Sequence, residues 1–333
     1  MQKRETWSPR HNVEVVDNSP FFIIGAGRSG TTLLRLILMG HSRLHIPPES
    51  WFIEDLVREL PLAGPLSAEQ TSRAADLVIS HRRWEDFSIP SDCFRRQVEH
   101  LKEPTLREIV DMIYSAELNK IGKPRFGDKS PTYFRIVPEL ISLYSGAKFI
   151  HLIRDGRDVA ISCIDARWTR YYERNFLWLQ AMKYRDIHRG TDYSSRILEI
   201  RYEDLVRETD STVMRICAFL GERFENGMLT WQRHVESTIP ARELHVHERI
   251  RGNVDTQNVA IWKERLSAFE CFSMEACMRD PLERLGYGLR FSAHVWRPFL
   301  HTWGQALNRL APLLRRVLPA LQRRNLLPAR MYF

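Results

Sequence analysis

Eight consecutive residues, Gly25-Ala26-Gly27-Arg28-Ser29-Gly30-Thr31-Thr32, bring together three glycines, three hydroxyls and one guanidinium. They lie between an apolar run, Phe21-Phe22-Ile23-Ile24, and a run of strong helix formers from Thr32 to Met39 that Gly40 can stop. In that context several backbone N–H groups and the positive end of a helix converge on one point, which makes a cradle for a phosphate-like anion. The nucleotide-triphosphate loop GxxxxGK[ST] has a lysine where this sequence has Thr31, and the cation of the loop is instead Arg28. Kinases and NTPases use that lysine to reach the β- and γ-phosphates, so its absence counts against ATP or GTP as the ligand. Metal chemistry has little support. His245-Val246-His247 would put two imidazoles on one strand face without a third ligand, and the five cysteines have no CxxC spacing.

A phosphate loop needs a strand before it and a helix after it. Phe21 to Ile24, bounded by Pro20 and Gly25, reads as a buried strand of a parallel sheet. Residues 60 to 103 are polar and punctuated by Pro61, Pro65 and Pro90, with a capping box at Ser67 and Gln70, and read as an insertion or lid. A second box, Thr105 with Glu108, predicts a helix whose positions Leu106, Ile109, Val110, Ile113 and Leu118 keep the 3.6 period up to Gly122, so the helical insertion is placed at 60–125. Two further strands are predicted at Lys148 to Ile153 and Ile197 to Arg201, with helical segments between them. Strands alternating with long helical connections imply an α/β fold, a P-loop-like parallel sheet flanked by helices, here in one domain over 20–290 after a polar arm, 1–19.

The motif residues also carry a resemblance. The strand, the GxxRSGTTLL run from Gly25 to Leu34, and then Ile46-Pro47-Pro48-Glu49-Ser50 resemble the loop by which sulfotransferases bind 3'-phosphoadenosine 5'-phosphosulfate (PAPS), in the form found in the tyrosylprotein and glycan branches. About 120 residues later, Phe149 to Ser162 is similar to the family's 3'-phosphate motif, in which an arginine at a strand end and a serine eight residues on grip the ribose 3'-phosphate; Arg154 and Ser162 have that spacing. The physical logic is independent of the family, since a guanidinium forks onto phosphate oxygens and a helix-borne hydroxyl adds a directed bond. A third segment, Leu198 to Val206, resembles the family's strand-to-helix segment and adds Tyr202 to the candidate cofactor residues. The resemblance spans roughly residues 20 to 270.

It implies metal-free, in-line transfer of a sulfuryl group from PAPS to an acceptor hydroxyl or amine, with positioning and charge stabilisation doing the work. Gly27, Arg28, Ser29, Gly30, Thr31 and Thr32 would hold the 5'-phosphosulfate, with Arg28 also neutralising charge on the departing phosphate. Glu49 matches the general base of the tyrosylprotein-type branch in its motif context, and His41, His45 and His151 are alternative bases. Asp128-Lys129-Ser130-Pro131 resembles the family's DKSP segment, whose lysine contacts the transferring group. Arg251, before Trp262-Lys263, matches a basic residue of the last cofactor segment. Two rival readings stay open, a P-loop small-molecule kinase and a non-catalytic nucleotide- or lipid-surface-binding protein.

The bulk composition agrees with a folded enzyme. Of 333 residues 44% are hydrophobic and 27% charged, which supports a sizeable core and excludes collagen-like and disordered chains. The net charge of +8 is local: nine arginines and no Lys, Asp or Glu between Arg284 and Phe333 leave the preceding 283 residues at −1, so nucleic acid is not an expected partner. Within 291–333, Leu300, Trp303, Leu307, Leu310, Leu314, Val317 and Leu321 follow an amphipathic pattern interrupted by Pro312 and Pro319, predicting short basic helices. Packing on the domain, peripheral contact with anionic lipid, or docking of an anionic acceptor all suit that pattern. The acceptor itself, whether glycan, lipid, small molecule or protein tyrosine, is not encoded legibly. The polar N-terminus and the odd number of cysteines fit a cytoplasmic setting. Trp168, Tyr171, Tyr172, Phe176 and Trp178 form an aromatic segment whose helical spacing predicts core packing over an acceptor-stacking wall.

Overall fold

The structure, a computed structural model, describes residues 18–166, 171–240, 252 and 256–291, with the side chains of all but 171–174, 236 and 237. The arm up to residue 17, Trp168, His245, His247, Arg251 and the basic extension from residue 292 lie outside the described residues. Five strands form one sheet: β1 (Phe21–Gly25), β2 (Leu44–His45), β3 (Arg125–Asp128), β4 (Lys148–Ile153) and β5 (Ile197–Arg201). Their order is β2-β3-β1-β4-β5 and every neighbouring pair is parallel.

The helices are α1 (Thr31–Met39), α2 (Phe52–Glu59), α3 (Ala68–Ile79), α4 (Ser91–Glu99), α5 (Leu106–Ile121), α6 (Val137–Leu143), α7 (Gly156–Asp165), α8 (Tyr171–Arg189), α9 (Tyr202–Arg207), α10 (Thr209–Leu220), α11 (Val235–Thr238), α12 (Trp262–Arg265) and α13 (Ala268–Arg284). None of the described helices is long and apolar enough to cross a membrane. Both expected capping boxes form, at Ser67 with Gln70 and at Thr105 with Glu108, and Gly122 ends α5 in the left-handed conformation at φ 73°.

Because successive strand residues face opposite sides, the continuous apolar run of β1 serves two cores. Phe22 and Ile24 pack with Phe149, Ile153, α2 to α6 and Trp178 of α8, whereas Phe21 and Ile23 pack with Ile150, Leu152, α1 and α10. The predicted strands at 148–153 and 197–201 are β4 and β5. Two strands were not legible. β2 has two residues, and β3 reads Arg-Phe-Gly-Asp, a polar tetrapeptide whose Arg125 is fully buried because Ser19 O, Leu220 O and Glu222 Oε1 accept its hydrogen bonds at 2.7, 2.9 and 3.0 Å. The aromatic segment divides: Trp178 is fully buried, but Phe176 is 43% exposed, so core packing does not hold for it.

Strand order reverses direction at β1, whose neighbours are β3 on one side and β4 on the other, and a crevice therefore opens beyond the carboxyl ends of β1 and β4. Gly25 lies at that point with φ 147°, and a Cβ there would sit 2.4 Å from the backbone oxygen of Leu152. Gly25→Ala should consequently cost about 2–4 kcal/mol of stability, since neither the strained φ nor the strand contact can relax. A lowered urea midpoint measures this, and an unchanged midpoint would contradict the close approach of β1 and β4.

Candidate functional site

All five strands run parallel, so the segments leaving their carboxyl ends meet along one edge of the sheet. The loop with Arg28 follows β1, the segment with Glu49 follows β2, Lys129 follows β3, Arg154 follows β4 and Tyr202 follows β5. Residues separated by up to 174 positions thus become neighbours through topology alone.

The first cluster lies around the loop and β4. Arg28 holds φ 69° and Gly30 φ 93°, both left-handed, which turns the chain tightly into α1. Arg28 Nε donates to Ser162 Oγ at 3.1 Å, and Arg154 Nη1 donates to the Arg28 carbonyl at 3.0 Å. Arg154 Nη2 donates to Asn258 O at 2.7 Å, its guanidinium lies 4.4 Å from the Tyr202 ring centroid, and Trp178 Nε1 holds the Arg154 carbonyl at 2.9 Å. A Cβ on Gly30 would come within 2.4 Å of the Tyr202 ring, so loop, ring and guanidinium are stacked in contact. Ser29 Oγ and Arg154 Nε are buried without a hydrogen-bond partner. Arg28, Ser29, Gly30, Arg154, Ser162 and Tyr202 are therefore brought together as the sequence spacing predicts, and Arg251 lies outside the described residues.

The second cluster surrounds Glu49, whose side chain is 12% exposed. Lys129 Nζ bonds Glu49 Oε1, Arg83 Nη2 donates to Oε2 at 3.2 Å, and Lys129 Nζ also lies 3.3 Å from Thr32 Oγ1. Burial by itself would raise the Glu49 carboxyl, but Lys129 and Arg83 together outweigh it and hold the group below the ordinary carboxylate range. Thr32, Arg35, Pro48, Glu49, Arg83 and Lys129 line a small cleft completed by Ile239 and Pro240.

Behind this pair a buried polar network fixes its two backbones. Ser50 Oγ donates to Asp128 Oδ2 at 2.8 Å and lies 2.6 Å from Tyr133 OH, Tyr114 OH donates to the same Asp128 oxygen at 2.6 Å, and Ser50 N donates to Ser130 Oγ at 3.2 Å. Burial pushes the Asp128 carboxyl up despite those donors. Since Ser50 follows Glu49 and Asp128 precedes Lys129, the network fixes the backbones of Glu49 and Lys129 relative to one another. Arg154 has an analogous support: Asp155 caps α7 through Arg157 N at 2.9 Å and takes both Nε and Nη2 of the buried Arg157 at 3.0 and 2.7 Å. Arg157 Nη1 reaches Glu275 Oε1 at 2.6 Å, and Asp158 accepts from the backbones of Ala260 and Trp262 at 2.7 and 3.0 Å. Burial, with Asp155 nearby, pushes Asp158 up to about 6.

The histidine alternatives are placed elsewhere. His41 spends Nε2 on Arg223 O at 2.9 Å and Nδ1 on Arg43 N at 3.0 Å. His45 and His151 are buried within strands and are pushed down to about 4 and about 3, chiefly by that burial. Sequence reasoning missed Arg83, which lies in a polar stretch with no recognisable motif, and Tyr114, while Ser50 and Asp128 stand inside recognised motifs and acquire a role of their own only as a spatial network. Among the described residues no cluster of three or more metal-ligating side chains occurs.

Comparison with known proteins gives a consistent family assignment. The profile described as "Sulfotransferase family" matches residues 20–226. An uncharacterized protein of Aquifex aeolicus is 24% identical over 253 residues, covering 73% of this chain and 30% of that protein. Nodulation protein NoeE of Sinorhizobium fredii is 25% identical over 292 residues, covering 80% of this chain and 65% of that protein. The chain thus spans less than two thirds of either relative. Among solved structures, the sulfotransferase domain from the curacin biosynthetic pathway superposes with a TM-score of 0.59 at 21% identity, covering 82% of this chain and all but 1% of that one, which establishes the shared fold.

The coupling of Glu49 to Lys129 has a measurable sign. A carboxyl held below its usual 4.5 contributes stability that is whole above that pH and is lost as the pH falls through the lowered value. Lys129→Met removes the cation and leaves the burial, so Glu49 should titrate at a higher pH than in the parent. The carboxyl-carbon chemical shift of Glu49 followed against pH reads this directly, and an unmoved midpoint would mean that Lys129 does not set the charge of Glu49.

Proposed function

Because the chain belongs to the sulfotransferase family, we propose that it moves the sulfuryl group of PAPS to a hydroxyl or amine of an acceptor and releases adenosine 3',5'-bisphosphate. One observation carries this reading: the Arg28 loop after β1 and Arg154 with Ser162 after β4 converge beyond the carboxyl ends of those strands, and the loop helix also brings Thr32 to the Glu49–Lys129 pair. A donor with two phosphate groups on one nucleoside would engage both arginines. The buried and unpartnered Ser29 Oγ and Arg154 Nε fit the same ligand, since each is a donor awaiting an acceptor oxygen. When bound, the donor supplies a sulfuryl group on a phosphate leaving group.

The loop N–H groups, Arg28, Thr31 and Thr32 hold the 5' end, and Arg154, Ser162 and Tyr202 hold the 3' end. Arg28, bonded to Ser162 and carrying on its carbonyl a hydrogen bond from Arg154, couples the two ends mechanically. Glu49 is ionised at neutral pH, the form required to take the acceptor proton onto a carboxylate oxygen. Its pairing with Lys129 lowers its basicity. An anion arriving at Thr32 competes for Lys129 Nζ, 3.3 Å away, and restores basicity to Glu49 as the site fills. Lys129 then stabilises negative charge next to the transferring group. Thr31 in place of the Walker lysine argues against the kinase reading.

Calorimetric titration with adenosine 3',5'-bisphosphate and with ATP, each with Mg²⁺ and after chelation, tests the ligand without knowledge of the acceptor. Metal-independent binding of the bisphosphate with weak ATP binding is expected, and a Mg²⁺-dependent preference for ATP would overturn the reading. Arg154→Ala should weaken the bisphosphate by about 10–100-fold, the cost of removing a charged hydrogen-bonding partner. Glu49→Gln should preserve that binding while suppressing transfer. Equal loss of binding in both variants would contradict the separate roles.

A further inference from the structure

A second cleft, of about 370 Å³ and open to solvent, separates α8 from the outer strand β5. It opens against the middle of β4 and the first half of β5, and Arg28, Glu49, Lys129, Arg154, Ser162 and Tyr202 are not among its walls. Three guanidinium groups face one carboxylate there: Arg185 and Arg189 from α8 and Arg215 from α10, against Glu199 from β5. Glu199 Oε2 accepts from Arg185 Nη2 at 2.8 Å, and Oε1 lies 3.7 Å from Arg189 Nε. Arg215 spends Nη2 on the Glu199 backbone carbonyl at 2.6 Å. Asp186 at the rim pairs with Arg185 at 3.2 Å and with Arg284 at 2.7 Å, which leaves the balance of charge in the cleft unchanged.

Two polar atoms of residues in the wall of this cleft have no partner: Arg185 Nε, always a donor, and His151 Nε2, a donor in one of the two neutral tautomers. Both atoms are buried, and their residues are 6% and 1% exposed. His188, the other imidazole in the wall, is occupied by Phe134 O at 2.7 Å and Tyr193 OH at 3.1 Å. Buried donors are retained where something accepts from them. Water can satisfy either atom singly, but two positive charges in excess favour an occupant that is itself negative and presents several acceptor oxygens.

We propose that the α8–β5 cleft is a second oxyanion site, taking a phosphate or sulfate group, free or carried as an ester, on Arg185 and His151 with Arg189 and Arg215 at its mouth. The site is independent of the crevice beyond β1 and β4. Trp178, which holds the Arg154 carbonyl, lies on the same helix as Arg185, so the occupant binds to the element that steadies the first site.

The test is nuclear magnetic resonance of protein carrying ¹⁵N-labelled arginine and histidine, titrated at fixed ionic strength with inorganic sulfate and, separately, with phenyl phosphate. Saturable shifts of the Arg185 Nε–H and His151 ring signals are expected. Arg189 and Arg215 are exposed, so the Arg189→Ala, Arg215→Ala double variant keeps the fold while weakening binding by about tenfold or more, through the loss of two charges at the mouth. A response to sulfate alone supports a free ion, and a response to both probes supports an ester-borne group. Absence of a saturable shift, or equal affinity in the double variant, overturns the proposal. Neither result depends on whether adenosine 3',5'-bisphosphate binds the first site.

Discussion

Parallel strand pairing is the constraint on which the site depends. A parallel sheet must return each strand to the same starting edge by a helical crossover, and so it delivers every strand's exit to one side. In this chain that geometry places a basic loop, a carboxylate, a lysine, an arginine and an aromatic ring around one crevice, although they come from five separate stretches. The reversal of strand order at β1 opens the crevice, and the glycine contact between β1 and β4 keeps its floor narrow.

A site so rich in cations must also be held together electrostatically, since an unpaired buried charge is costly. The chain meets this in two ways. Arg157 is enclosed by Asp155, Glu275 and the Gly288 carbonyl, with its guanidinium 3.6 Å from the Trp262 ring centroid, and it is a structural cation that ties α7 to α12 and α13. Lys129 and Glu49 instead neutralise each other at the mouth of the cleft that they line with Thr32 and Arg83.

Much of this was legible in the sequence because it is local. The glycine-rich turn between β1 and α1, the juxtaposition of Arg28, Arg154 and Ser162, both early capping boxes and three of the five strands are encoded in short windows of sequence. β3 was hidden because its Arg125 and Asp128 look like loop residues, and only distant partners at residues 19, 220 and 222 make burial of that arginine tolerable. Arg83 was hidden for a similar reason: it meets Glu49, 34 positions away, only in the folded chain. Phe176 shows the opposite failure, where a correct helical period did not reveal which face meets the core.

The edges of the sheet bear on how copies of the chain can meet. Exposed strand edges invite pairing with other chains, and this sheet offers little of either edge. On one side the outer strand β2 is two residues long, and on the other the Glu199 carbonyl of β5 is already taken by Arg215. Among the described residues, strand addition therefore has little backbone to pair with at β2 and meets an occupied carbonyl at the middle of β5.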